Sequence, residues 1–123
     1  GENSLLTVRN SGLINNDVGI ATKDGSSTII DNLKFENNKF HIKNYKKNWR
    51  YVDGGLTIVN DSEFDVVEND NDNYIDLNYE KIEIDKFSSL LIENSNYEGK
   101  MINQKFFSKI NEEKHLKRLK KLN

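Results

Sequence analysis

Hydrophobic and polar positions recur along the chain in columns. The stretches TVRNSGLINN (Thr7 to Asn16), TIIDNLKFENN (Thr28 to Asn38), TIVNDSEF (Thr57 to Phe64) and LIENSNY (Leu91 to Tyr97) share one pattern. Val8, Ile30, Val59 and Ile92 hold one apolar position, and Leu13, Phe35, Phe64 and Tyr97 hold another five residues on. Between them lies a polar column of Asn10, Asn32, Asp61 and Asn94. The units start 22, 29 and 33 residues apart. Constant spacing within a unit and variable spacing between units points to stacked repeats with insertions on one side.

Each unit predicts a strand, a turn and a second strand. Thr28-Ile29-Ile30 and Thr57-Ile58-Val59 are short and β-branched, as strands require. Asn and Asp tolerate the left-handed backbone of a tight turn better than other residues with side chains. Strands stacked about 4.8 Å apart let such side chains bond from unit to unit as a ladder. Second alternations at Val18 and Ile20, Phe40 and Ile42, and Ile75 and Leu77 predict another sheet with inward positions two apart. These columns favour a parallel β-helix of about four coils over a small antiparallel sandwich, in which the NN and DG pairs would serve as hairpin turns.

The ends differ in character. A repeat begins at Leu5 without a preceding capping helix, so the expectation is an open first coil that a neighbouring domain or another chain covers. From Asn103 the sequence NQKFFSKINEEKHLKRLKKLN lacks glycine and favours helix, with Ile102, Phe106 and Ile110 on one face. The basic end of that helix suits the helix dipole, which needs no ligand to explain it.

Composition narrows the function classes. Among 123 residues, 35% are hydrophobic and 31% charged, a lean core that fits a thin, layered shape. Nineteen asparagines would be unusual in an ordinary globule and are natural in repeated turns. There is no cysteine, hence no disulfide or thiolate metal site, and no proline to interrupt ladders. A net charge of −2 gives no overall attraction to nucleic acid. No apolar run is long enough for a membrane-spanning helix.

The candidate chemistry lies in one insertion. The segment NYKKNWRYVDGG (Asn44 to Gly55) alternates Tyr45, Trp49 and Tyr51 with Lys46, Lys47 and Arg50. Aromatic faces beside cations suit a sugar ring or an anionic polymer. The simpler alternative is a flap in which Trp49 and Tyr51 cover a flank and Gly54-Gly55 makes a tight return. The acidic loop ENDNDNYIDLNYE places oxygen ligands at alternate positions, but Tyr74 stands where a calcium loop needs glycine, so no metal site is expected. His41 and His115 lack a third nitrogen or sulfur ligand for zinc. Asp31 and Glu93 share a polar column with Arg9 and Asn60, roughly 9–10 Å apart across an intervening strand, the wide limit for an inverting glycosidase pair. Exposed sheet positions look the same, and catalysis gains little support. The Asn60-Asp61-Ser62 glycosylation match is expected by chance in so asparagine-rich a chain.

The stretch GIATKDGSSTIIDNLKFENNKFHIKNYKKNWRYVDGGLTIVNDSEF (Gly19 to Phe64) resembles right-handed parallel β-helix segments of bacterial surface proteins, most of all those accompanying spore-coat (CotH-type) kinase-like domains. The resemblance runs from Leu5 to Phe64 and weakens toward Tyr97. The chain lacks a Gly-rich phosphate loop and the HRD and DFG motifs, so the resemblance implies a segment whose catalytic domain lies elsewhere. It also implies an extracellular or cell-envelope location. A similar Tyr-Lys-Lys and Gly-Gly pattern in such segments favours the structural role of the insertion.

The expectation is therefore an all-β chain. It has a short right-handed parallel β-helix of about four coils over residues 1–101 and a C-terminal α-helix over 102–123 that packs on or caps the last coil. The expected function is a non-catalytic scaffold or binding segment without cofactor or metal. Its ligand-binding residues would be Tyr45, Lys46, Lys47, Trp49, Arg50 and Tyr51, with an acidic glycan as the expected contact. Two alternatives stay open: a fragment of a polysaccharide hydrolase or lyase, and a partner-dependent assembly module.

Overall fold

The computed structural model describes residues 4–47, 53–65, 81–97, 99–106 and 112–122. Four strands stack side by side in parallel: β1 (Leu5–Ile14), β3 (Ser27–Glu36), β5 (Leu56–Asn60) and β8 (Ser89–Tyr97). The two-residue β6 (Glu63–Phe64) pairs in parallel with both β3 and β8. A second parallel sheet contains β2 (Val18–Lys23), β4 (Phe40–Tyr45) and β7 (Ile82–Ile84). The strand β9 (Lys100–Phe106) returns antiparallel on β8, and α1 spans Glu112–Leu122.

The registers place the apolar columns side by side. Val8 pairs with Ile30, Ile30 with Val59, and Val59 with Ile92. Leu13 pairs with Phe35, Phe35 with Phe64, and Phe64 with Tyr97. The second sheet adds Ile20, Ile42 and Ile82, and all of these except the half-buried Val8 and Leu13 are buried in one core. Phe35 and Phe64 stack at 4.7 Å with their planes 8° apart, and Tyr97 follows at 5.5 Å.

The polar column behaves as its chemistry demands. Asn10, Asn32, Asp61 and Asn94 have φ of 52°, 56°, 52° and 48°, the left-handed region that short polar side chains enter most cheaply. Asn32 Nδ2 donates to Asn10 Oδ1 at 2.8 Å, and Asn94 Nδ2 donates to Asp61 Oδ1 at 2.6 Å. A second ladder joins Asn37 Nδ2 to Asn15 Oδ1 at 2.7 Å, again between left-handed residues.

The architecture corrects the expected right-handed β-helix of about four coils. The chain is all-β apart from α1, but β3, β5, β8 and β6 form a closed circuit of parallel pairings with the second sheet flanking it. The reason lies at Asp61. There the third unit breaks into β5 and β6, while β3 runs on through Asn32, so both pieces pair with the same two neighbours. Residue columns specify which positions adjoin; they carry no information on how ladders close or on hand. The third strand of the second sheet is also only three residues long and uses Ile82 and Ile84. The expected pair Ile75 and Leu77 lies outside the described residues.

The C-terminal expectation is corrected as well. Lys100–Phe106 is a strand, and the helix covers only the eleven residues Glu112–Leu122. Helix propensity is a weak prior that yields to a free strand edge. Here β8 offers one, and Ile102 alternates as a half-buried residue between exposed Met101 and Asn103.

Candidate binding surface around Tyr45

Tyr45 ends β4, beside Lys23 at the end of β2. Tyr45 and Lys23 are both half-buried and line a cleft of about 130 Å³ with Ser4, Leu6, Thr22 and Thr28. Beyond Tyr45 the chain leaves the sheet but is held by its backbone. The Lys46 N–H donates to Asp85 Oδ2 at 2.7 Å, and the Lys47 N–H donates to Asp24 Oδ1 at 2.8 Å. Both lysine side chains are thereby directed from a fixed root, with Lys47 exposed.

The far end of the insertion is fixed too. The Gly25 N–H donates to Gly54 O and the Gly54 N–H donates to Phe87 O, both at 2.9 Å, so Gly54 bridges its two neighbouring layers. Neither Gly54 nor Gly55 has a left-handed φ, so the expected tight return is not why glycine stands there. Space is the reason. A Cβ on Gly55 would overlap the Thr22 carbonyl, 2.5 Å from its carbon, and one on Gly54 would overlap Ser88 Oγ.

This packing brings in residues that the sequence pattern did not single out. Lys46 Nζ lies 3.9 Å from the centre of the Phe87 ring, and Lys86 Nζ lies 5.2 Å from the same ring. Two cation–aromatic groupings thus adjoin the root: Tyr45 and Lys23 line one cleft, and Lys46 and Lys86 approach the Phe87 ring. The Lys86-Phe87 pair repeats the cation–aromatic alternation of the insertion, and that was the available signal. Of the residues expected to bind ligand, the structure places Tyr45, Lys46 and Lys47 on one root. Trp49, Arg50 and Tyr51 lie outside the described residues.

Beneath the root is a buried hydroxyl and amide network. Thr22 Oγ1 lies 2.7 Å from Thr28 Oγ1 and 3.2 Å from Thr57 Oγ1, whose hydroxyl donates to Asn44 Oδ1 at 2.8 Å. Asn44 Nδ2 donates to Ser89 O at 2.8 Å. Buried polar groups with their bonds made cost little and fix geometry; left unpaired they would destabilise. The network ties β2, β3, β4, β5 and β8 together directly behind Tyr45.

A second polar cluster surrounds His41, which is completely buried. Asn38 Nδ2 also donates to Leu13 O, so it donates to His41 Nδ1 at 3.1 Å, leaving His41 Nε2–H to donate to Asp65 Oδ1 at 2.8 Å. Asp65 Oδ2 accepts the Asn37 N–H at 2.8 Å and faces Lys81 Nζ at 3.6 Å. Phe35 and Phe64 flank the imidazole at 5.6 and 5.5 Å. Both ring nitrogens are used and the ring is enclosed, so His41 anchors the chain after Phe64 and has no open face for a substrate.

Burial holds the His41 pKa below its ordinary value of 6.5, against the opposing pull of Asp65. Burial alone would raise Asp65, but the Asn37 N–H, His41 and Lys81 outweigh it and hold the carboxyl below 3.8. The unfolded chain therefore takes up the His41 proton more readily than the folded one. Stability from the neutral ring is complete above about pH 6.5 and declines as pH falls toward the lower folded value; the Asp65 contribution is lost only below about pH 3.8. We expect the urea midpoint to fall between about pH 7.5 and pH 5, and His41→Gln to flatten that slope. The same substitution should cost about 1–3 kcal/mol at neutral pH by removing the Nε2–H donor to Asp65 Oδ1 and the ring acceptor of one Asn38 N–H.

Among the described residues, no three His, Asp or Glu side chains gather as metal ligands. The acidic loop from Glu68 to Glu80 lies outside the described residues. Asp31 and Glu93 do fall on one column, opposite Arg9 and Asn60 respectively, on the polar side of the ladder. No described helix is long and apolar enough to cross a membrane. Comparison with family models, with characterised proteins and with solved structures returns no match.

Proposed function

We propose that this chain is a non-catalytic scaffold and binding segment of a larger bacterial surface or envelope protein, and that its Asn44–Gly55 insertion contacts an acidic glycan. The observation that carries the reading is a root pinned at Asp24, Asp85 and Gly54 that carries Tyr45 beside Lys23 and holds Lys46 over the Phe87 ring, with Lys86 near the same ring. A sugar ring stacks on an aromatic face, and its carboxylate or sulfate pairs with a nearby ammonium; each grouping at the root holds both kinds of partner. A rigid scaffold presenting a loop is the usual arrangement for recognition. The resemblance of Gly19 to Phe64 to surface-protein segments supports the location.

Trp49 is the only tryptophan and reports on the insertion directly. Titration with an acidic oligosaccharide such as an oligogalacturonate should change its fluorescence saturably, and a neutral oligosaccharide should not. Trp49→Ala and Arg50→Ala should each weaken binding by about tenfold, a loss of one stacking or charge-assisted contact, with the thermal midpoint kept. Lost stability in these variants, with no saturable binding by the parent, would assign the rings to a structural flap and end the proposal.

A further inference from the structure

We propose that His41 is a proton-operated latch: charging its ring displaces Asn38 and loosens the turn at residues 13–16, while the strands on either side stay paired. The two nitrogens of this buried ring meet an added proton differently. On the Nε2 side nothing has to change, because Nε2–H already donates to Asp65 Oδ1 at 2.8 Å. Among the described residues, the charged groups that act on the ring are Asp65, which follows β6, and Lys81, which precedes β7 and whose Nζ lies 3.6 Å from Asp65 Oδ2. Burial opposes a charge on the ring, Asp65 favours it and Lys81 opposes it. Asp65 itself stays ionised, since the Asn37 N–H, His41 and Lys81 outweigh its burial.

The conflict arises at Nδ1. Asn38 Nδ2 gives one N–H to Leu13 O at 2.8 Å and the other to His41 Nδ1 at 3.1 Å. Asn38 Oδ1 accepts the Asn16 backbone N–H at 2.9 Å and Asn16 Nδ2 at 3.2 Å. A backbone N–H only donates and a backbone carbonyl only accepts, so these partners fix the amide with its nitrogen toward the ring. A proton on Nδ1 then sets N–H against N–H. Turning the amide over would satisfy Nδ1–H but would set oxygen against Leu13 O and nitrogen against the Asn16 N–H. Neither orientation suits a charged ring, and Asn38 is only 2% exposed, so solvent does not relieve the clash.

The release is local. The Asn15 N–H donates to Glu36 O at 3.1 Å, the Lys39 N–H to Asn16 O and the Phe40 N–H to Asp17 O, both at 2.9 Å, and Asn37 Nδ2 to Asn15 Oδ1 at 2.7 Å. None of these bonds uses the Asn38 side chain. The turn therefore loses its inner tie while the layers hold, an opening that precedes unfolding. It falls below pH 6.5, because burial makes the ring harder to protonate than a free imidazole.

The test is a magnetic-resonance titration of the intact chain from pH 7.5 to pH 5. The His41 ring, the Asn38 side-chain amide and the Asn16 backbone amide should shift with one common midpoint. The exchange protection of the Asn16 N–H should fall roughly fivefold, the loss of one hydrogen bond, while Ile30 and Val59 keep theirs. His41→Gln should remove the pH response at Asn16. Asn38→Asp, which offers Nδ1–H an acceptor, should raise the midpoint of the ring, and it decides the matter if the glutamine variant does not fold. A ring that stays neutral throughout, a charged ring with Asn16 unmoved, shifts confined to Asp65 and Lys81, or protection lost from all strands together would each overturn the proposal.

Discussion

Phe35→Ala is expected to destabilise the protein by about 3–5 kcal/mol, the range for removing a fully buried aromatic ring. Phe35 is 0% exposed and lies where the aromatic column, the second sheet and the His41 cluster meet. Its loss removes the stack with Phe64, one wall of the imidazole site, and the neighbour of Leu13 across the ladder. The surrounding strands are held by their ladders and cannot collapse far into the space, which places the cost toward the upper part of the range. Urea denaturation at neutral pH checks it, with Leu5→Ala on the exposed edge as a control expected to change stability by no more than about 0.5 kcal/mol. A Phe35→Ala cost below about 1 kcal/mol would remove the aromatic column from the centre of the core.

Gly55→Ala is expected to cost about 3 kcal/mol, at the high end for overpacking. The added Cβ meets the Thr22 backbone, which is held in the second sheet and cannot rotate away. Gly54→Ala should cost less, because its nearest obstacle is the Ser88 hydroxyl, a side-chain atom that can turn at the expense of its bonds to Asp85 and the Gly55 N–H. The order of the two variants in urea unfolding is the informative result. Equal and small effects would mean that the insertion is not rooted by close packing between Thr22 and Ser88. A displaced root in Gly55→Ala should also weaken oligosaccharide binding, since Tyr45 and the Gly54 bridge share it.

The ladder registers were legible in the sequence because two physical constraints repeat in every unit. The core admits only apolar residues at the Val8 and Leu13 columns, and the turn admits only residues that bear a left-handed backbone, which here means asparagine or aspartate. The closing of the pairings was not legible, since the break at Asp61 and the continuity at Asn32 occur in the same column with nearly the same chemistry. The antiparallel β9 was hidden by helix-favouring lysine and glutamine, whose preference gives way to the open edge of β8. At the candidate surface, the insertion announced itself by composition, but Lys86 and Phe87 arrive from 40 and 41 residues downstream of Lys46 through pairing that no local pattern encodes. His41 could be weighed from sequence only as a metal ligand; its partner Asp65 follows Phe64 and reaches it through the register of β6.

Amide chemical-shift mapping during titration with an acidic oligosaccharide tests the binding surface most directly. A glycan held by the rooted insertion predicts saturable shifts at Lys23, Tyr45, Lys46 and Phe87, with the β8–β9 edge and Arg9 unmoved. Shifts confined to other surfaces, or the same shifts with a neutral oligosaccharide of equal length, would contradict it.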